Sequence, residues 1–138
     1  MTWVVDASVA VKWVIPEVLS DRADRLLGSP EPMMAPDLLM IEAANTLWKK
    51  TQREELSAAE AARALEVLLA SGLVVCAAHP LLRRALAMAQ SLARPVCDCV
   101  YLALAERERA TFVTADEQLL RRLARRRVKA RVIDLRSF

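Results

Sequence analysis

Short apolar or β-branched runs alternate with longer helical stretches from one end of this chain to the other, and that alternation constrains the fold more than any other feature. Trp3-Val4-Val5, Val74-Val75-Cys76, Thr111-Phe112-Val113 and Arg131-Val132-Ile133 are too short for helices and read as buried strands, with Met33-Met34-Ala35 before Pro36 as a weaker fifth. Helical spacing fills the intervals, over Ser8–Ile15, Ser20–Leu27, Leu38–Gln52, Ala58–Ala70, Leu81–Leu92, Val96–Glu108 and Glu117–Arg126. Strands separated by helices predict parallel pairing, because parallel neighbours need crossover connections. The expectation is an α/β fold with one parallel sheet between helical layers. A chain of 138 residues, 55% of them apolar, has the material for one such core, so residues 1–138 are expected to form a single domain.

Local signals sharpen several boundaries. Asp37 is placed to N-cap the third helix, Ser57 with Glu60 forms a capping box for the fourth, and Gly72 stands just past its end. Pro80 and Pro95 stand where helices begin and a missing amide proton costs least. Thr114 with Glu117 fits a second capping box.

The residues that are scarce exclude whole classes of chemistry. With only Gly28 and Gly72, neither a GxGxxG turn nor a GxxxxGK[ST] phosphate loop exists. His79 is the only histidine, and its place before Pro80 marks it as structural or solvent-exposed, so a histidine-rich zinc site is impossible. Cys76, Cys97 and Cys99 cannot all pair within one chain, and buried reduced thiols in a cytoplasmic setting are expected. The longest uncharged apolar stretch, Val67 to Ala78, is shorter than the ~20 residues of a membrane span, and residues 1–5 carry no basic leader.

Charge is divided unevenly. Residues 1–60 carry a net −4 and residues 61–138 a net +7, with Arg121, Arg122, Arg125, Arg126, Arg127, Lys129 and Arg131 in one short run. That run reads either as a phosphate-binding surface or as a solvated helix face.

Against this background four acids interrupt apolar surroundings. Asp6 follows the strand Trp3-Val4-Val5, and Asp116 follows Thr111-Phe112-Val113 across Thr114-Ala115. Both fall outside the carboxyl ends of strands, where open parallel sheets place their functional crevice. Glu42 breaks the run Leu38-Leu39-Met40-Ile41, with Asn45 on the same helical face, and Asp98 sits in the first turn of the nearly all-apolar Val96–Ala105. Each has a structural reading of its own: a cap for Asp6, Asp98 and Asp116, an exposed stripe for Glu42. Taken together, four like charges in one crevice would repel unless a divalent cation neutralised them, and an all-oxygen site selects Mg2+ or Mn2+. Such a site suits phosphodiester hydrolysis without histidine, and the basic run would contact the polyanion.

Val4-Val5-Asp6-Ala7-Ser8, Pro36-Asp37-Leu38 with Glu42-Ala43-Ala44-Asn45-Thr46-Leu47, Asp98 with Tyr101-Leu102-Ala103-Leu104-Ala105, and Phe112-Val113-Thr114-Ala115-Asp116 resemble the successive motifs of PIN-domain proteins, VapC-type toxins in particular. The resemblance covers essentially the whole chain. It implies an α/β/α sandwich with a five-stranded parallel sheet, Mg2+- or Mn2+-dependent endoribonuclease activity, homodimerisation and neutralisation by a VapB-type antitoxin. It also implies that Asp6, Glu42, Asp98 and Asp116 are the metal-binding catalytic acids, with Ser8, Asn45 and Thr114 supporting them. Cys99 departs from the small residue, such as Ala, that usually follows the third acid. Arg121, Arg122, Arg125 and Arg126 are the candidate substrate contacts.

Two other readings stay open at the level of sequence. One is a catalytically silent RNA-binding or protein-interaction module. The other is a small-molecule phosphohydrolase with Asp6 as nucleophile, although the second acid such enzymes carry two residues on is here Ser8.

Overall fold

A computed structural model describes residues 1–138. Five strands, β1 (Trp3–Val5), β2 (Met33–Pro36), β3 (Val74–Cys76), β4 (Thr111–Thr114) and β5 (Arg131–Asp134), form one sheet in the order β3-β2-β1-β4-β5. Every pairing is parallel, with Val4 opposite Met34 on one side and Phe112 on the other. Seven helices supply the crossovers: α1 (Ala7–Val14), α2 (Ser20–Leu27), α3 (Leu38–Gln52), α4 (Ala58–Leu69), α5 (Leu82–Leu92), α6 (Val96–Glu108) and α7 (Glu117–Ala124). The result is the α/β sandwich that the alternation predicts.

Burial follows from strand position. The central strands β1 and β4 are covered on both faces, so their residues are all buried, with Val4, Val5, Phe112 and Val113 fully so. Helix α6 lies across β1, β2 and β4 with α5 packed on it, while α1 packs with α2, α3 and α4. Cys99 to Ala105 are buried without interruption, which explains a helix that is apolar on all sides. Replacing the fully buried Leu102 by Ala would cost about 2–5 kcal/mol.

The edges depart from the sequence expectation. β3 pairs on one side only, and its Val74 and Val75 are 53% and 47% exposed rather than buried. β5, at the other edge, is only half-buried. Of the three thiols, only Cys99 is buried, Cys97 being exposed and Cys76 intermediate; none is in a disulfide. The Ser57–Glu60 capping box forms as expected, with Ser57 Oγ accepting the Glu60 N–H at 3.1 Å and Glu60 Oε1 accepting the Ser57 N–H at 3.1 Å. Gly72 takes the positive φ of 79° that a chain reversal after a helix favours. Asp37 behaves differently: its Oδ1 accepts the Ala78 N–H at 3.2 Å, tying the start of α3 to the loop after β3 instead of capping the helix. His79 is exposed. No helix is long and apolar enough to cross a membrane.

This strand order places the reversal of chain direction between β1 and β4. Connections after β1 run outward through β2 to β3, and the return enters β4 on the other side of β1. At such a switch point the loops leave in opposite directions and open a crevice at the carboxyl ends of the two strands. Asp6 and the Ala115-Asp116 loop lie at those ends, and the Asp6 N–H donates to the Val113 carbonyl at 3.1 Å across the gap.

Candidate active site at the switch point of the sheet

Asp6 occupies the N-cap position of α1 but makes no capping bond with its side chain. Its Oδ2 instead accepts two hydroxyl donors, Ser8 Oγ and Thr114 Oγ1, each at 2.7 Å. Both hydroxyls reach onward to the β4–α7 loop, Ser8 Oγ accepting the Ala115 N–H at 3.2 Å and Thr114 Oγ1 the Asp116 N–H at 3.1 Å. The end of β1 and the end of β4 are therefore cross-linked through one carboxylate oxygen, and Asp6 Oδ1 is left uncommitted.

Asp116, not Thr114, is the N-cap of α7: its Oδ1 accepts the Leu119 N–H at 3.1 Å. The second capping box expected from the sequence does not form, because the buried Thr114 hydroxyl is engaged with Asp6 and Glu117 turns outward to Arg136 Nη2 at 2.9 Å.

Glu42 enters from α3, half-buried, and its Oε1 accepts the Tyr101 hydroxyl of α6 at 2.5 Å. Tyr101 is buried and its ring packs on Phe112 of β4 at 5.7 Å between centroids. Asp98, in the first turn of α6, gives Oδ2 to Arg94, whose Nη2 and Nε lie at 2.6 and 3.0 Å. Asn45 is exposed and its side chain makes no hydrogen bond to the acids.

Electrostatics ties the four carboxylates together. Burial pushes the Asp6 carboxyl up to about 6; the Thr114 and Ser8 hydroxyls oppose the shift, and the charges of Glu42 and Asp98 add to it. Burial also raises Glu42, with Tyr101 opposing and Asp98 adding. Asp98 is raised by burial against the pull of Arg94, and Asp116 contributes in the same upward direction. Burial moves the Tyr101 hydroxyl far above its ordinary range, so it stays a proton donor to Glu42.

No three His, Cys, Asp or Glu side chains are arranged to hold a metal ion by themselves. The donor chemistry nevertheless fits a hydrated hard cation. Asp6, Glu42 and Asp98 each commit one oxygen to a partner and keep the other free, and Mg2+ commonly takes one or two carboxylates and fills its remaining positions with water.

Beside the acids lies a cavity of about 360 Å³ lined by Arg94, Gln118, Arg121, Arg122 and Arg125, without one apolar residue. Three of the four candidate substrate arginines line it; Arg126 is exposed and does not. Arg94 and Gln118 were not among the sequence candidates. Arg94 stands in the α5–α6 loop, between Ala93 in the left-handed region at φ 53° and Pro95, where helical periodicity carries no information.

A family model described as the PIN domain matches residues 3–126. A protein of Pyrobaculum aerophilum named Ribonuclease VapC3 is 36% identical over 121 residues, spanning 86% of this chain and 92% of that protein. The crystal structure of PAE2754, also from Pyrobaculum aerophilum, superposes with a TM-score of 0.75 at 26% identity, covering 99% of this chain and 85% of the other. VapBC2 of Rickettsia felis, solved bound to a DNA fragment from its promoter, shares the fold at a TM-score of 0.64 and 13% identity, over 97% of this chain and 98% of that one.

Proposed function

The chain belongs to the PIN-domain family, and from that premise we propose that it is a Mg2+- or Mn2+-dependent endoribonuclease, the toxin of a VapBC-type pair. The observation that carries the reading is the gathering of Asp6, Glu42, Asp98 and Asp116 at the switch point, where the charges of Glu42 and Asp98 raise Asp6 and that of Asp116 raises Asp98. Like charges held together in a buried crevice cost stability, and a bound cation is the simplest compensation.

In this reading Asp6, Glu42, Asp98 and Asp116 are the acids of the catalytic centre, and Asp6, Glu42 and Asp98, each with a free oxygen, are the ones that would offer donors to the metal. When bound, the ion neutralises their charge and polarises water and phosphate for hydrolysis. Ser8 and Thr114 fix the Asp6 carboxylate by two hydroxyl donors, so its free Oδ1 keeps one direction. With a carboxyl near 6, Asp6 of the metal-free chain is ionised at neutral pH, so its free Oδ1 would be available to the cation that activates the attacking water. That water would lose a proton to solvent as it adds to phosphorus, the bond to the leaving ribose oxygen would break, and that oxygen would take a proton from solvent. Tyr101 holds Glu42 in place by donating to Oε1.

Arg121, Arg122 and Arg125 border the same crevice and would take the flanking phosphates of RNA, with Arg126 further out on the same basic run. A VapB-type antitoxin is the proposed protein partner and a homodimer the proposed assembly, in the cytoplasm. Ile41 and Trp48 on α3, 69% and 56% exposed, leave apolar surface for such contacts.

Incubation of structured RNAs with the protein and Mg2+ or Mn2+ tests the activity. Cleavage that EDTA abolishes and that Asp6→Asn and Asp98→Asn lack is expected; variants that cleave like wild type would place the chemistry elsewhere. A chain that neither binds Mn2+ nor cuts RNA would fit the silent RNA-binding or interaction module instead.

A further inference from the structure

Arg94 is the only basic side chain paired with any of the four acids. Its Nη2 lies 2.6 Å from Asp98 Oδ2 and 3.8 Å from Asp116 Oδ2, so the guanidinium stands between the two carboxylates. The position is imposed by the backbone: Ala93 ends α5 in the left-handed region, the Arg94 N–H donates to the Ala89 carbonyl at 3.3 Å, and Pro95 opens α6. The Arg94 side chain is only 17% exposed, which keeps it from exchanging freely with solvent.

The oxygens of the four acids divide accordingly. Asp116 gives Oδ1 to the Leu119 N–H and faces Arg94 with Oδ2, so no oxygen of it stands clear of a partner. Asp98 gives Oδ2 to Arg94 and keeps Oδ1. The uncommitted oxygens are those of Asp6, Glu42 and Asp98. A divalent ion between Asp98 and Asp116 would have to displace a guanidinium already hydrogen-bonded there, and two cations side by side would repel.

We propose that Arg94 is a built-in counter-ion that takes the place of a second metal ion, so that the centre binds one divalent cation, on the Asp6, Glu42 and Asp98 side. The proposal rests on the metal-centre reading above and adds the number of ions and the residue that limits it. Arginine suits the role because its charge is permanent and its planar fork gives two donors to one carboxylate, as Nε and Nη2 do to Asp98 Oδ2, while the same charge faces Asp116. It is a positioning residue here: two of its N–H groups hold Asp98 Oδ2, and its charge faces Asp116 at 3.8 Å.

Titration calorimetry of the full chain with Mn2+ alone, near neutral pH, reads the number of ions bound. One ion is expected for the wild type and two for Arg94→Met. The metal-free variant should also melt below the wild type and recover when Mn2+ is added. Arg94→Gln, which keeps an N–H donor without the charge, is read in the same way if Arg94→Met does not fold. Two ions on the wild type, or one ion on wild type and neutral variants alike, overturns the counter-ion role and leaves the metal centre standing. Absence of Mn2+ binding by wild type and variants alike overturns both.

Discussion

Thr114 clamps Asp6: a hydroxyl buried at the end of β4 donates to the carboxylate that ends β1, at 2.7 Å, while accepting the Asp116 N–H at 3.1 Å. One side chain thus sets the orientation of one acid and the entry of the chain into the next.

Thr114→Val keeps the shape and removes the hydroxyl. It leaves the Asp116 N–H without its acceptor and Asp6 with Ser8 alone, so a loss of about 1–3 kcal/mol is expected in urea denaturation. Mn2+ binding and RNA cleavage should weaken together. Thr114→Ser should restore most of both, because the donor and the acceptor return.

The raised Asp6 carboxyl gives stability a defined pH dependence. Its folded value of about 6 exceeds the ordinary 3.8 of an aspartate, so the folded state binds the proton more tightly than the unfolded chain. Stability from this group is therefore present at low pH and is lost as pH rises from about 4 to 6, by up to about 3 kcal/mol. Thermal melts of metal-free protein should show this decline in wild type and its absence in Asp6→Asn. At neutral pH the variant should melt higher than wild type while cutting no RNA.

Much of this was legible from residue order. An acid directly after an apolar strand flags Asp6, and one just past the end of β4 flags Asp116, because strand ends in a parallel sheet point at the crevice. Glu42 and Asp98 stand out because apolar neighbours surround them. The missed parts depend on contacts between distant segments. The Tyr101 hydroxyl meets Glu42 across 59 residues of chain, and Tyr101 reads in sequence as one more apolar residue of α6. Arg94 sits four residues before Asp98, but Pro95 separates it from the helix, so the spacing rule for helical ion pairs did not apply to it. The exposure of β3 was hidden because strand order, not strand composition, decides which run lies at an edge.

Tyr101→Phe isolates one of those hidden contacts. The ring can keep its packing on Phe112, so the fold should lose only about 1 kcal/mol. Glu42 loses the donor that opposes its upward shift, and its carboxyl should rise further. Mn2+ affinity is then expected to fall most below neutral pH and to recover as pH rises. An unchanged pH profile of binding would show that Glu42 does not need Tyr101.

Ser57→Ala provides the contrasting case, a stability change without a functional one. It removes the Oγ that accepts the Glu60 N–H, while the backbone N–H of position 57 can still donate to Glu60 Oε1, and on an exposed helix start it should cost about 1 kcal/mol. RNA cleavage per folded molecule should stay at the wild-type rate, measured where both proteins are fully folded.

The arginine cavity makes a graded prediction about RNA. Arg121, Arg122 and Arg125 line it, whereas Arg126, one residue further on, does not. If the cavity holds phosphates, reversal of charge at Arg121 or Arg125 should weaken RNA binding and flatten its dependence on salt. Each phosphate of single-stranded RNA that is no longer neutralised should reduce the slope of log K against log salt by about 0.7. Arg126→Glu changes the net charge by the same amount, so it should lower affinity through the general field of the molecule while leaving more of the slope intact. Binding is best followed by fluorescence anisotropy with Asp98→Asn, which removes cleavage, in a series of salt concentrations. Equal slopes for Arg125→Glu and Arg126→Glu would mean that net charge, and not the cavity, recruits the RNA.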